Sequence, residues 1–210
     1  MTPRTGLGRL LPALLLPLVI VAMTRVAAAA PLSSLEGLEL LRRGFAGVTD
    51  FTAEITQEKQ LSLMKKKLTA TGVIRFRKPD TFYMEIFSPY TSRLLLKNTD
   101  LVIFYPREGT RQTIALPPEE GLGKWFTYLD RPVTTLPDGV DVRAERRGGT
   151  CILQFAPQGK GGVKALGLTF LEDGSIRQIV ITEQNGDRAT ITFRNMKKNV
   201  GLKDRDFRLE

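Results

Sequence analysis

The sequence predicts a mainly β chain: one long antiparallel sheet that curls, with two amphipathic helical segments covering its concave face. Three observations predict it. From Asp50 onward, apolar residues recur with period two over short segments, as strands with unlike faces require. "EDGS" (172–175) and "QNGD" (184–187) place Asp-Gly and Asn-Gly pairs between β-rich runs, the signature of tight hairpins. Successive strands joined by such turns make a sheet too long to stay flat, and its apolar face then needs a cover.

The chain starts with Arg4 and Arg9, then an apolar run, Leu10–Met23, broken by Pro12 and Pro17, then Arg25 and "VAAAAP". A basic start, a short apolar stretch and small residues at A-x-A spacing predict a secretory signal peptide over 1–29, cleaved after Ala29 with Ala27 as the other small residue. The alternative is an uncleaved anchor. Against it, the run is short of the ~20 residues a bilayer span needs, and Arg25 interrupts its extension. A single domain over 30–210 is expected to follow.

Ser33 and Glu36 have capping-box spacing, and Leu38, Leu41, Phe45 and Val48 recur at three- and four-residue steps. One amphipathic helix is expected over about 34–47. In "DFTAEITQ", Phe51, Ala53, Ile55 and Gln57 share a face. In "GVIRFRK", Ile74, Phe76 and Lys78 oppose Val73, Arg75 and Arg77. In "TFYMEIF", Phe82, Met84 and Ile86 oppose Tyr83, Glu85 and Phe87. The charged side chains Arg75, Arg77 and Glu85 are expected to meet water. "RLLLKN" and "DLVIFYP" continue the strands. "PDGV" and "RGGT" punctuate further ones, so 140–146, 151–156, 164–171, 176–183 and 188–194 read as strands, and "FRL" (207–209) as a candidate last one. The exception is "LPPEEGLGKWFTYLDRPV" (116–133), where Leu122, Trp125, Phe126 and Leu129 have helical spacing.

Composition narrows the function. The chain has 210 residues, a net charge of +9, one Cys and no His. It stays basic without Arg4, Arg9 and Arg25, which would suit nucleic acid or an anionic membrane face, but export argues against nucleic acid. Lys65-Lys66-Lys67 reads as a solvated turn. Cys151 has no partner for a disulfide and reads as a buried small apolar residue. Without His, the commonest general base, the usual nucleophile triads and most zinc sites are missing. Glu119-Glu120 and Glu172-Asp173 read as helix-start and turn chemistry. A two-carboxylate glycosidase would need no His, but no spacing points to one. The residues therefore favour a binding protein, with no catalytic residue, metal site or cofactor.

In order, the leader, the first helix, "FTAEITQ", "GVIRFRKPDTFYMEIFSP", "LVIFYP", the central insertion, "LQFAP", "LTFLEDGSIRQIVITEQNGDRATITFRNMKKN" and "DFRL" resemble the LolA family of periplasmic carriers, which move lipoproteins from the inner to the outer membrane of Gram-negative bacteria. The resemblance covers essentially all of the chain after the leader. It implies an unclosed, half β-barrel with a helical lid, the lipoprotein acyl chains lying between them. It implies as partners an inner-membrane ABC-type release complex and an outer-membrane receptor lipoprotein, with no nucleotide or metal bound and the carrier a monomer in the periplasm. The cavity lining would be Phe51, Ile55, Ile74, Phe76, Phe82, Met84 and Ile86. The lid would present Leu38, Leu41 and Phe45 from the first helix and Leu122, Trp125 and Phe126 from the second. The family has an Arg before the proline of the strand turn, bonded to the lid; here it is Lys78, which keeps the charge but lacks the planar fork. Met84 stands where a Trp is common.

By the residues alone, two outcomes stay open: side chains fill the space under the helices, or they underfill it and a ligand completes the core. With the resemblance, cargo lipid and lid are expected to compete for one apolar surface. The competing readings are a related envelope shuttle or regulator for glycolipid or phospholipid on the same fold, and an exported hydrolase. A lipid-anchored acceptor of this fold would need a Cys at the start of the chain that follows the leader, and none stands there.

Overall fold

The computed structural model describes residues 32–63, 66–117, 130–159 and 161–210, all within one compact unit, Pro31–Glu210. The expected signal peptide and cleavage site lie outside the described residues, as does most of the central insertion. The described elements are α1 (Ser34–Phe45), β1 (Asp50–Leu61), β2 (Lys66–Arg77), β3 (Thr81–Ser88), β4 (Ser92–Lys97), β5 (Asp100–Tyr105), β6 (Thr110–Ala115), β7 (Val140–Arg147), β8 (Thr150–Pro157), β9 (Val163–Leu171), β10 (Ile176–Glu183) and β11 (Arg188–Lys198).

The strands form one eleven-stranded antiparallel sheet in the order β6-β5-β4-β3-β2-β1-β11-β10-β9-β8-β7. The chain enters at the middle with β1, meanders to one edge at β6, crosses to the other edge at β7, and meanders back to pair β11 with β1. The edges β6 and β7 do not pair, so the sheet is unclosed. Hairpin chemistry sets the register as expected. Gly174 and Gly186 have φ of 78° and 87°, and the Asp173 carboxylate accepts the Ser175 N–H at 2.7 Å.

α1 begins with the expected capping box: the Ser33 N–H donates to Glu36 at 2.9 Å, and the Glu36 N–H to Ser33 Oγ at 3.3 Å. The helix is held closely to the sheet by absent side chains. A Cβ at Gly37 would stand 2.6 Å from Ala144 Cβ, and one at Gly44 would stand 2.3 Å from Gly174 Cα. Lys198 Nζ caps the helix end by donating to Gly44 O at 3.0 Å and to Asp173 O, and it lies 5.4 Å from the Phe45 ring centroid. Burial holds its amine below the ordinary lysine range.

Two apolar clusters lie between α1 and the sheet. Phe45, Phe51, Ile55, Ile74, Phe76, Ile86, Ile191 and Phe193 form one; Val142, Cys151, Leu153, Leu168 and Phe170 form the other. Cys151 is fully buried, as a small apolar residue should be.

A third cluster lies on the opposite, convex face, where three expectations fail. "FRL" does not form a strand. A 3₁₀ turn, Asp204–Phe207, precedes it, and Phe207 and Leu209 pack on Tyr83 beside Leu95, Val102 and Phe104. Arg75, Arg77 and Glu85 do not simply face water. Arg75 donates to Asp206 O at 3.2 Å, Arg77 pairs with Asp204 at 2.6 Å, and Arg93 bridges Glu85 and Leu209 O at 2.8 and 2.9 Å. The C-terminal segment is a strap across β2–β5. It also accounts for the apolar outer positions of "RLLLK" and "DLVIFY", since it lies against Leu95, Val102 and Phe104. The third correction is to the lysine run: Lys66 and Lys67 are not in a loop but pair with Leu61 and Gln60 at the start of β2.

Candidate functional site

The concave apolar face is the candidate site, and the strand register builds it in rows. Phe51, Phe76, Phe82, Leu96, Leu101 and Ile114 are successive partners across β1 to β6. Ala53, Ile74, Met84, Leu94 and Ile103 make the next row. In antiparallel pairs, direct partners point to the same face, so each row is one continuous apolar stripe across the strands. Strands lie about 4.8 Å apart, so a six-strand row runs roughly 24 Å, a distance comparable to an extended long acyl chain.

All seven residues expected to line a cavity belong to this face. Phe51, Ile55, Ile74, Phe76 and Ile86 are buried in the cluster under α1, with Phe82 and Met84 packed partly buried against it. Phe51 meets the rings of Phe45 and Phe76 at 6.0 and 5.3 Å between centroids. Of the first lid group, Phe45 is buried in this cluster, and Leu38 and Leu41 pack against the second cluster. The two clusters under α1 thus occupy the concave face from β3 across β1 and β11 to β7. Leu122, Trp125 and Phe126 lie outside the described residues.

The rows continue where α1 does not reach. Leu94, Leu96, Leu101 and Ile103 are half-buried, and Ile114 is 44% exposed. Sequence reading assigned these strands no inward face, because the strap makes both of their faces apolar. Their inward positions follow only from pairing with Phe82 and Met84. By contrast, a groove of about 570 Å³ beside Ile152, Gly167 and Val180 lies on the convex face of β7–β10, opposite the buried Leu153 and Leu168, and belongs to no apolar stripe.

Among the described residues, two side chains reach the crossover between β6 and β7. Lys78 Nζ lies 2.6 Å from Asp130 Oδ1, one residue past the undescribed stretch. Lys78 is itself placed by its N–H, which donates to Thr49 O at 2.8 Å and extends the β1–β2 pairing by one residue. Arg77 points the other way, to Asp204, as alternation requires. The second tie was not foreseen: Glu39 on α1 accepts the Val133 N–H at 3.0 Å while holding both nitrogens of the Arg42 fork at 2.8 and 2.7 Å. The Arg42 guanidinium, and then the Val133 N–H, hold the Glu39 carboxyl at about 2. The helical spacing Glu39–Arg42 was visible in the sequence, but its partner 94 positions away was not.

Asp50 was missed for the same reason. It is buried, and its carboxylate accepts the N–H groups of Val200 at 2.7 Å and Gly201 at 3.2 Å, fixing the turn that launches the strap.

The profile of the family described as "Outer membrane lipoprotein carrier protein LolA" matches residues 46–210. No curated protein matches the sequence. Among solved structures, the chain is similar to a LolA superfamily protein from Nitrosomonas europaea, at 12% identity and TM-score 0.46, covering 84% of this chain and 97% of that one. It is also similar to a DUF1329 family protein from Desulfovibrio piger, at 14% identity and TM-score 0.46, covering 83% and 98%. A third likeness is to the Pseudomonas aeruginosa MucA/MucB complex, at 12% identity and TM-score 0.47, covering 83% of this chain and 61% of that one.

Proposed function

Because the chain belongs to the LolA family, we propose that it is a periplasmic carrier that binds the acyl chains of lipoproteins on its concave apolar face and ferries them from the inner to the outer membrane. It acts as a non-enzymatic monomer, loaded by an inner-membrane ABC-type release complex and unloaded by an outer-membrane receptor lipoprotein. The observation that carries this reading is the run of apolar rows past α1 into β4–β6, where Leu94, Leu96, Leu101 and Ile103 are half-buried and Ile114 is exposed. An acyl chain laid along a row contributes about 0.8 kcal/mol per buried CH₂. Reversible transport then needs a competitor for the same surface. The Lys78–Asp130 pair and the Glu39–Val133 bond are the contacts that such a competitor would use and cargo would release. α1 is pinned at Gly37, Gly44 and Lys198, so it serves as the fixed wall.

A second reading, an envelope shuttle for another lipid, is favoured by one observation. Lys78 makes a single ion pair at the position where the family pattern has an Arg, so closure here differs in strength or trigger from that pattern.

The test is native mass spectrometry with lipid extraction on protein purified from its own periplasm, together with binding of an apolar fluorescent probe. Triacylated lipoprotein is expected to co-purify, and Leu94→Glu or Ile103→Glu to weaken probe binding at least tenfold, with Ile152→Glu on the convex face as control. Free phospholipid or glycolipid in place of lipoprotein would establish the second reading. No retained lipid and no probe binding would end both.

A further inference from the structure

The three most exposed large apolar side chains among the described residues are Leu63 at 97%, Tyr90 at 72% and Phe87 at 48%. All three lie on the same rim of the sheet, where β1, β3, β5, β8 and β10 end and β2, β4, β6, β7, β9 and β11 begin. The turns of the opposite rim, "KPD", "NT", "RGG" and "EDGS", are polar. Leu63 stands farthest out. The β2–β3 pairing ends at Thr71↔Ser88, whereas β1–β2 pairing continues to Leu61↔Lys66, five residues further, or roughly 17 Å.

That hairpin does not project alone. Ser62 donates its N–H to Asp187 at 2.8 Å and its hydroxyl to Asn185 O at 2.9 Å, so the β1–β2 and β10–β11 hairpins are joined into one prong. Around the tip stand Lys59, Lys66, Lys67 and Arg188, against Glu58, Glu183 and Asp187, and the Asp187 carboxylate is engaged by Ser62. A turn exposed only to water gains nothing from a leucine exposed at its tip. A leucine flanked by lysines on a projection braced by a second hairpin suits an interface with an apolar interior and an anionic surface.

We propose that this prong docks the protein to anionic phospholipid bilayers, Leu63 entering the acyl region and Lys66 and Lys67 lying against the headgroup phosphates. Each lysine close to an anionic surface strengthens partitioning about fivefold. One leucine and a few lysines give contact that is weak and reversible, as peripheral docking through a single small anchor must be. The inference stands on the prong alone and does not rest on the carrier reading.

The experiment is co-sedimentation of the unit Pro31–Glu210, which contains all three hydrophobic clusters, with vesicles of mixed phosphatidylglycerol and phosphatidylcholine or of phosphatidylcholine alone. Binding is expected to the mixed vesicles, to fall with salt, and to drop about tenfold or more for Leu63→Asp and for the pair Lys66→Glu/Lys67→Glu. Arg147→Glu on the opposite rim should leave it unchanged. Leu63 is almost wholly exposed, so the thermal midpoint of Leu63→Asp should match the parent. Wild-type failure to bind, equal binding to neutral vesicles, or undiminished binding by Leu63→Asp would overturn the proposal. Apolar-probe binding, measured on the same variants without vesicles, keeps the two readings apart. Vesicle binding by a parent protein that takes up no probe supports the docking inference and counts against the carrier.

Discussion

Tyr83 shows how far one side chain's environment departs from what its neighbours in sequence suggest. It alternates with inward residues and so belongs to the outer face, yet it is 2% exposed, because Phe207 and Leu209 lie on it. Burial, and then the Glu85 carboxylate that accepts its hydroxyl at 3.0 Å, push its phenol to about 12. Its folded-state value lies above the unfolded one, so its contribution to stability is complete below about 10 and is lost as pH rises through about 12. The Tyr83 phenol should therefore resist ionisation until about pH 12 when phenolate absorbance is followed, and the strap should loosen in the same range. Replacing Tyr83 with Phe should remove that late step. Lys78 gives a second prediction. Asp130 is more than half exposed, so the pair is worth at most about 1 kcal/mol. Lys78→Ala should therefore change apolar-probe affinity by no more than about fivefold, and toward tighter binding if closure competes with the ligand. Weaker binding by Lys78→Ala would mean that Lys78 holds the ligand, not the lid. The inward direction of Lys78 was legible from alternation; Asp130 as its partner was not, since nothing local links positions 78 and 130.

At the level of elements, α1 and the C-terminal strap have different claims on the sheet. α1 lies so close to the β9–β10 turn that Gly44→Ala would push a methyl into the Gly174 backbone. The clash is with main chain, so the helix must move, and a cost of about 1–3 kcal/mol is expected in urea unfolding. The sequence showed Gly44 only as a weak helix former; its use as a packing surface came from the fold. The strap depends on Phe207, which is buried and lies 4.9 Å beneath the Arg77 guanidinium. Phe207→Ala should cost about 3 kcal/mol and expose 200–210 to limited proteolysis, with α1 unaffected. Equal protease sensitivity in mutant and parent would show that the ion pairs alone hold the strap. Strand boundaries in the second half were readable to within a few residues because Gly and Asn mark each turn. The strap was not readable, because its "FRL" has the alternation of a strand but finds no free edge beside it, only a covered face.

For the whole molecule, α1 is the fixed cover over part of the concave apolar face. A ligand that binds this surface in the folded chain alone raises stability by mass action, about 2.7 kcal/mol at a hundredfold excess over Kd. A long-chain fatty acid should accordingly raise the melting temperature by several degrees, and Ile103→Glu should abolish the rise; a flat response in the parent protein would count against an acyl site. The sequence by itself determined the class of the sheet, its hairpins, the capped first helix and the seven residues of the inner face, because strand period and turn chemistry are local. Membership of the LolA family was equally legible in the order of those segments. The tertiary structure decided how far the apolar rows extend into β4–β6, which residues tie the crossover, and that the outer face of β2–β5 is covered. Each of these depends on which strands become neighbours and on where a distant segment comes to rest. Those relations are set by the closing of the whole chain on itself, and no window of the sequence contains them.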